Sequence, residues 1–187
     1  IEKKMRKKLI NKFEEHHDVV PQDVIDLNIS TILKHQAKWN VTKPDRWNDI
    51  INAISNSKIL NEDWYKSGSL LTFETLMYNY LYPKVDEYIA KYFPDRTDYL
   101  DLDLIDHCCS GAFYLKVDKN AFRQFHVYDK HPYGKGSSRE NLIIEEPALK
   151  LHPETNTLFL FPCDMYHAAV HKGKEESIVV SFNVHFI

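Results

Sequence analysis

Apolar residues recur with a helical period through residues 1–100 and with a period of two beyond them, and this change of rhythm divides the chain. After Pro21, the segment Asp23 to Lys38 puts Val24, Leu27, Ile32 and Leu33 near one side of a helix. Asp45 to Lys58 does the same with Trp47, Ile50, Ile51 and Ile54. A third helix is predicted from Ser69 through Tyr92, with Leu76, Met77, Leu81, Val85 and Ile89 among its apolar positions, and Pro83 should kink or split it. Pro94-Asp95 then closes the helical part. Ahead of Pro21, apolar residues at Ile1, Met5, Leu9 and Phe13 keep helical spacing. The Lys3, Lys4 and Arg6 to Lys8 run, with Glu14 and Glu15 beside it, reads as a solvated helix face.

From Leu104 onward, short alternating and β-branched runs are separated by turn residues. They predict strands near 110–118, 122–129, 141–151, 156–161, 166–171 and 177–186, with Tyr133 to Arg139, rich in Gly and Ser, as a candidate lid. Strands of this length and spacing suggest a sandwich or jelly roll backed by helices. The expected fold class is therefore α+β: a helical half over 1–100 packed on a jelly-roll half over 101–187, forming one compact unit. The last strand carries a sharper signal. Its even positions (Ile178, Val180, Phe182, Val184, Phe186) are apolar, whereas its odd positions include Ser177, Ser181, Asn183 and His185. Small hydrogen-bonding groups in a row suit either a wet cavity or a plain solvent face.

Composition narrows the function classes. With 187 residues the chain can bury a sizeable core without disulfides, and a formal net charge of −3 gives no field for a phosphate backbone, so nucleic acid is not an expected partner. Of the three cysteines, Cys108 and Cys109 are neighbours, which leaves Cys163 to pair with at most one of them. The simpler expectation is a reducing cytoplasm. No apolar run is long enough to span a bilayer and no leader pattern is present, although a start at Ile1 suggests a trimmed native beginning.

The run Ser110-Gly111-Ala112-Phe113-Tyr114-Leu115, then Phe161-Pro162 leading to His167, then Ser181-Phe182-Asn183, resembles the double-stranded β-helix oxygenases that use iron(II) and 2-oxoglutarate, in particular a small bacterial and phage-type group. The resemblance covers the part of the chain from His107 onward. It implies two imidazoles and one carboxylate on one face of the iron, leaving open positions for a keto acid and dioxygen. His167 matches the distal histidine and His107 the proximal one. The third ligand departs from the pattern, because Asp106 is adjacent to His107 rather than two residues away. Asp106 ligating from an irregular loop, Asp103 swinging in, a ligand hidden in a missing loop, and a decayed site all stay open.

A second departure concerns the keto acid. The resemblance places an arginine for its distal carboxylate where this chain has Ser177, so a substitute cation is required. Lys116, expected on the same strand face as Tyr114, is the candidate, and Ser181 and Asn183 could add hydrogen bonds. His126 and Asp129 are split across strand faces by their spacing, and His16, His17, His35, His131 and His152 fall on predicted helices or turns. His171 and His185 are candidates only for supporting contacts. The implied activity is oxidative decarboxylation of 2-oxoglutarate coupled to hydroxylation of an unactivated C–H bond in a small molecule or amino-acid side chain. A cupin-like metal isomerase and a non-catalytic binding module are the alternatives.

Overall fold

The computed structural model describes residues 10–39, 69–94, 109–129, 131–132, 145–172 and 177–184. The helix expected over Asp45 to Lys58, the lid candidate, Asp103, Asp106, His107 and His185 lie outside them. The chain forms two compact units, Val20–Lys84 and the combination of Ile1–Val19 with Val85–Ile187. This boundary falls elsewhere than the expected division at residue 100, for a physical reason. Residues 14–17 add a strand to a sheet of the second half, and the helix beyond Val85 is tied to that strand.

In the unit Val20–Lys84, α1 (Gln22–Trp39) packs against α2 (Ser69–Leu76). The buried stripe of α1 runs through Ile25 and Asn28, whose amide donates to Val24 O at 2.9 Å. Leu27, expected on the packed side, is 56% exposed. The helix beginning at Ser69 meets Pro83 without breaking. A π-helical segment (Met77–Leu81) precedes α3 (Tyr82–Tyr92), and the Tyr82 N–H donates back to Met77 O. The widened turn accommodates a ring that lacks an N–H and would collide with the carbonyl of an ordinary α-turn.

Among the described residues, the other unit holds seven strands in two antiparallel sheets, giving a mixed α+β architecture. β1 (Glu14–His17), β5 (Thr157–Pro162), β2 (Cys109–Val117) and β7 (Ser177–Val184) form one sheet in that order. β4 (Leu149–Leu151), β3 (Phe122–Tyr128) and β6 (Tyr166–Lys172) form the other. Phe159 and Phe161 of β5 meet Phe125 of β3, and Phe13 lies against all three rings. Ala112, Tyr114, Val127 and Met165 complete this core. Every residue of β5 is buried, since Leu158 and Leu160 are covered on the opposite face. Two-sided burial explains why the run reads as continuous hydrocarbon rather than alternating.

β1 is a strand that its own sequence does not announce. Glu-Glu-His-His has no apolar alternation, yet Glu14 pairs with Leu160 and His17 with Thr157 along an edge. Tertiary contacts hold it. Glu14 takes hydrogen bonds from Lys91 and Tyr92 of α3 and from His16, while Tyr88 donates to Lys12 O at 2.6 Å. Burial alone would raise the Glu14 carboxyl, but these donors, Lys91 foremost, outweigh it and hold the group below the usual carboxylate range. His16 and His17 therefore sit on an edge strand, not on a helix or turn as expected.

Candidate functional site

Between the two sheets lies a cavity of about 620 Å³, open to solvent and walled by β2, β3, β6 and β7. Its walls follow from strand alternation. On β7 the odd positions Ser177, Val179, Ser181 and Asn183 line it, joined by the Phe182 ring. On β2 the lining comes from Ser110, Gly111, Ala112 and Tyr114. Gly111 stands directly opposite Phe182, and a Cβ built there would fall 2.1 Å from the Phe182 Cζ. Only glycine lets that phenyl lie across β2.

At one end of the cavity the structure puts a group that the sequence alone did not single out. Arg123 of β3, 9% exposed, donates from Nε to the Ser177 Oγ at 2.8 Å and from Nη1 to the Phe122 carbonyl at 3.0 Å. Its guanidinium thus reaches from one sheet to the first residue of β7 in the other. The alternation Arg123, Phe125, Val127 was the available signal, because it sets a charge on the face that otherwise feeds the core.

Tyr114 also lines the cavity and is 3% exposed. Among the described residues its hydroxyl has no hydrogen-bond partner. Burial pushes this phenol up to about 12, against the opposing pull of the Arg123 charge, so it keeps its proton and can donate at ordinary pH. Lys116, the cation expected beside it, is not among the residues lining the cavity. A β-bulge between Tyr114 and Lys116 shifts the pairing with β7 and breaks the alternation that would have kept the two on one face.

The other end is formed around His167 on β6, which also lines the cavity. Its ring lies 4.7 Å from that of Phe161 and stacks on Phe125 at 5.5 Å. Nδ1 is 2.9 Å from the Met165 carbonyl. A carbonyl can only accept, so Nδ1 carries a proton, and in the neutral ring that leaves the lone pair on Nε2, the tautomer that a metal ligand needs. Across from it, Ser110 Oγ donates to Asn183 Oδ1 at 2.6 Å. Cys163 lines the same end and is disulfide-bonded, whereas Cys109 is a free, buried thiol.

Among the described residues, His126 and His131 are not part of the lining. His126 bonds Gln124 at 2.9 Å, with burial and then Lys150 lowering its pKa, and His131 packs edge-on against Tyr166. Among the described residues no group of three or more His, Cys, Asp or Glu is arranged to hold a metal ion. Asp106 and His107 lie outside that set. Also among the described residues, no helix is long and apolar enough to cross a membrane.

No family model, no curated protein and no solved structure matches this chain.

Proposed function

We propose that the chain is a non-haem iron(II)- and 2-oxoglutarate-dependent oxygenase on a double-stranded β-helix, hydroxylating an unactivated C–H bond of a small molecule or amino-acid side chain. The observation that carries the reading is the placement of Arg123. The resemblance calls for a guanidinium at the position of Ser177, and Arg123 delivers one to the Ser177 hydroxyl from the facing sheet. Tyr114 supports it independently. A buried hydroxyl without a protein partner costs about 1–3 kcal/mol, and a ligand carboxylate held by Arg123 would give it an acceptor.

The residues then divide the work. Arg123 and Tyr114 bind the distal carboxylate of the keto acid with a planar, charged donor and a neutral one. Ser181, between the two ends on the cavity wall, offers a hydroxyl near the far end of that ligand. His167 would hold the iron through Nε2, and Asp106 with His107 are the sequence candidates for the remaining ligands. Phe125, stacked on the imidazole, and Phe161, tilted against it, hold the plane of the ring. Iron(II) and the keto acid bound there would supply the oxidising chemistry, which no side chain can.

The test is a melting curve with iron(II), with 2-oxoglutarate and with both, followed by an assay for succinate. A ligand that binds the native state at a hundred times its Kd stabilises it by about 2.7 kcal/mol, so a clear rise in Tm is expected. Both the iron-dependent part of the rise and succinate release should disappear in His167→Ala. Iron binding without 2-oxoglutarate binding would favour the isomerase, and binding of neither would leave a scaffold.

A further inference from the structure

The Ser110–Asn183 pair has a geometry that the keto acid does not use. The two residues are direct register partners on β2 and β7, and both line the cavity. Ser110, 6% exposed, donates to Asn183 Oδ1 at 2.6 Å. That bond orients the carboxamide, turning Nδ2 and its two N–H groups away from β2. Among the described residues no protein group accepts from them. The pair lies at the His167 end: Ser110 is paired with Phe161, whose ring lies 4.7 Å from the imidazole.

Length decides which molecule those donors meet. Arg123 is fixed at Ser177, and Asn183 stands six residues further along β7, about 20 Å at strand rise. The four carbon–carbon bonds of 2-oxoglutarate span at most about 6 Å, and a hydrogen bond at each end adds about 3 Å. A keto acid anchored on Arg123 therefore reaches roughly the level of Ser181, about 13 Å along β7, and stops short of Asn183. A cavity of about 620 Å³ has room for a second small ligand beyond it.

We infer that Asn183, positioned by Ser110, recognises the molecule to be oxidised by donating to a carbonyl or carboxylate oxygen of it. This rests on the oxygenase reading, and it moves Asn183 from the keto acid, to which its sequence position assigned it, to the primary substrate. The substrate class is then an acceptor-bearing compound such as an amino acid, an N-acyl amino acid or a peptide, rather than a bare hydrocarbon or an amine. Ser110 is a positioning residue: without its hydroxyl the carboxamide is free to flip and present oxygen to the cavity.

The experiment uses N-acetylglycine as probe, titrated by calorimetry into full-length protein saturated with 2-oxoglutarate, with 2-oxoglutarate titrated separately. The wild type should bind both. Asn183→Asp, which replaces the donors by an anion at equal size, and Ser110→Ala should weaken N-acetylglycine about tenfold. Ser110→Thr should restore most of that loss, and all three should bind 2-oxoglutarate within about twofold of the wild type. Unchanged probe affinity in Asn183→Asp, loss of 2-oxoglutarate affinity instead, or no probe binding by the wild type overturns the inference alone. Failure of the wild type to bind 2-oxoglutarate overturns the oxygenase reading beneath it.

Discussion

Arg123 of β3 and Ser177 of β7 are joined by a 2.8 Å hydrogen bond that ties the two sheets at one end of the cavity. The resemblance places a guanidinium at the position of Ser177, and here one meets that serine from the facing strand. If this guanidinium holds a carboxylate, Arg123→Met should weaken 2-oxoglutarate by about 10- to 100-fold, the worth of charge-assisted hydrogen bonds at roughly 1.5–3 kcal/mol. The exchange Arg123→Ser with Ser177→Arg should recover most of the affinity, because the cation returns to the same space from the other sheet. Calorimetry on both variants reads this directly. Equal affinity in Arg123→Met and wild type would remove Arg123 from the site.

Tyr114 gives a prediction in which stability and binding move apart. Its hydroxyl is buried beside Arg123 and, among the described residues, makes no protein hydrogen bond, so Tyr114→Phe removes a group that no protein atom satisfies. The variant should match or exceed the wild type in stability, by up to about 1 kcal/mol, while binding 2-oxoglutarate about tenfold more weakly. A core tyrosine with a purely structural role would give the reverse: lower stability and unchanged binding.

Most of the strands were legible in the sequence, because β2, β3, β5, β6 and β7 each carry alternation or a continuous apolar run bounded by turn residues. β1 was not. Its four residues are all charged or imidazole, and what holds them is a backbone edge and donors from a helix far along the chain. The polar face of β7 could be read from Ser177, Ser181 and Asn183, since period two is robust in an uninterrupted strand, but whether that face met a cavity or open solvent could not. The same rule misassigned Lys116, because one extra residue at a bulge reverses every face beyond it and leaves no mark in composition. Arg123 was visible as a charge in an apolar row, but its role depends on which residue of another sheet it meets. That partnership is a property of the fold, not of the spacing.

Gly111 and Phe182 make a steric prediction. The ring occupies the space that a methyl group would take, with three ring atoms within 2.7 Å of a built Cβ. Gly111→Ala must drive the phenyl off β2, at a cost of about 1–3 kcal/mol by the usual measure of overpacking. Phe182→Leu in the same chain should relieve much of it, so the double variant should be more stable than the sum of the singles predicts. Denaturant midpoints of the four proteins measure the coupling. Strict additivity would mean that the ring does not rest on Gly111 in solution.

Buried acids set an alkaline limit on the fold. Burial pushes the Cys109 thiol from 9.0 up to about 12 and the Tyr114 phenol from 10.0 up to about 12, and it raises Tyr88 as well, whose hydroxyl donates to the Lys12 carbonyl. In the unfolded chain these groups release their protons near 9 and 10, while the folded chain holds them until about 12. Between those limits the unfolded state binds fewer protons, so stability falls as pH rises. It is fully present below about pH 9 and is lost progressively toward pH 12, because each tenfold difference in acidity between the folded and unfolded chain is worth about 1.4 kcal/mol per group. The total loss should reach several kcal/mol. Cys109→Ala removes the earliest of these groups and should move the onset from near 9 to near 10. Guanidinium midpoints of wild type and variant across this range test the assignment, and a wild-type profile flat to about pH 11 would mean that water reaches these side chains.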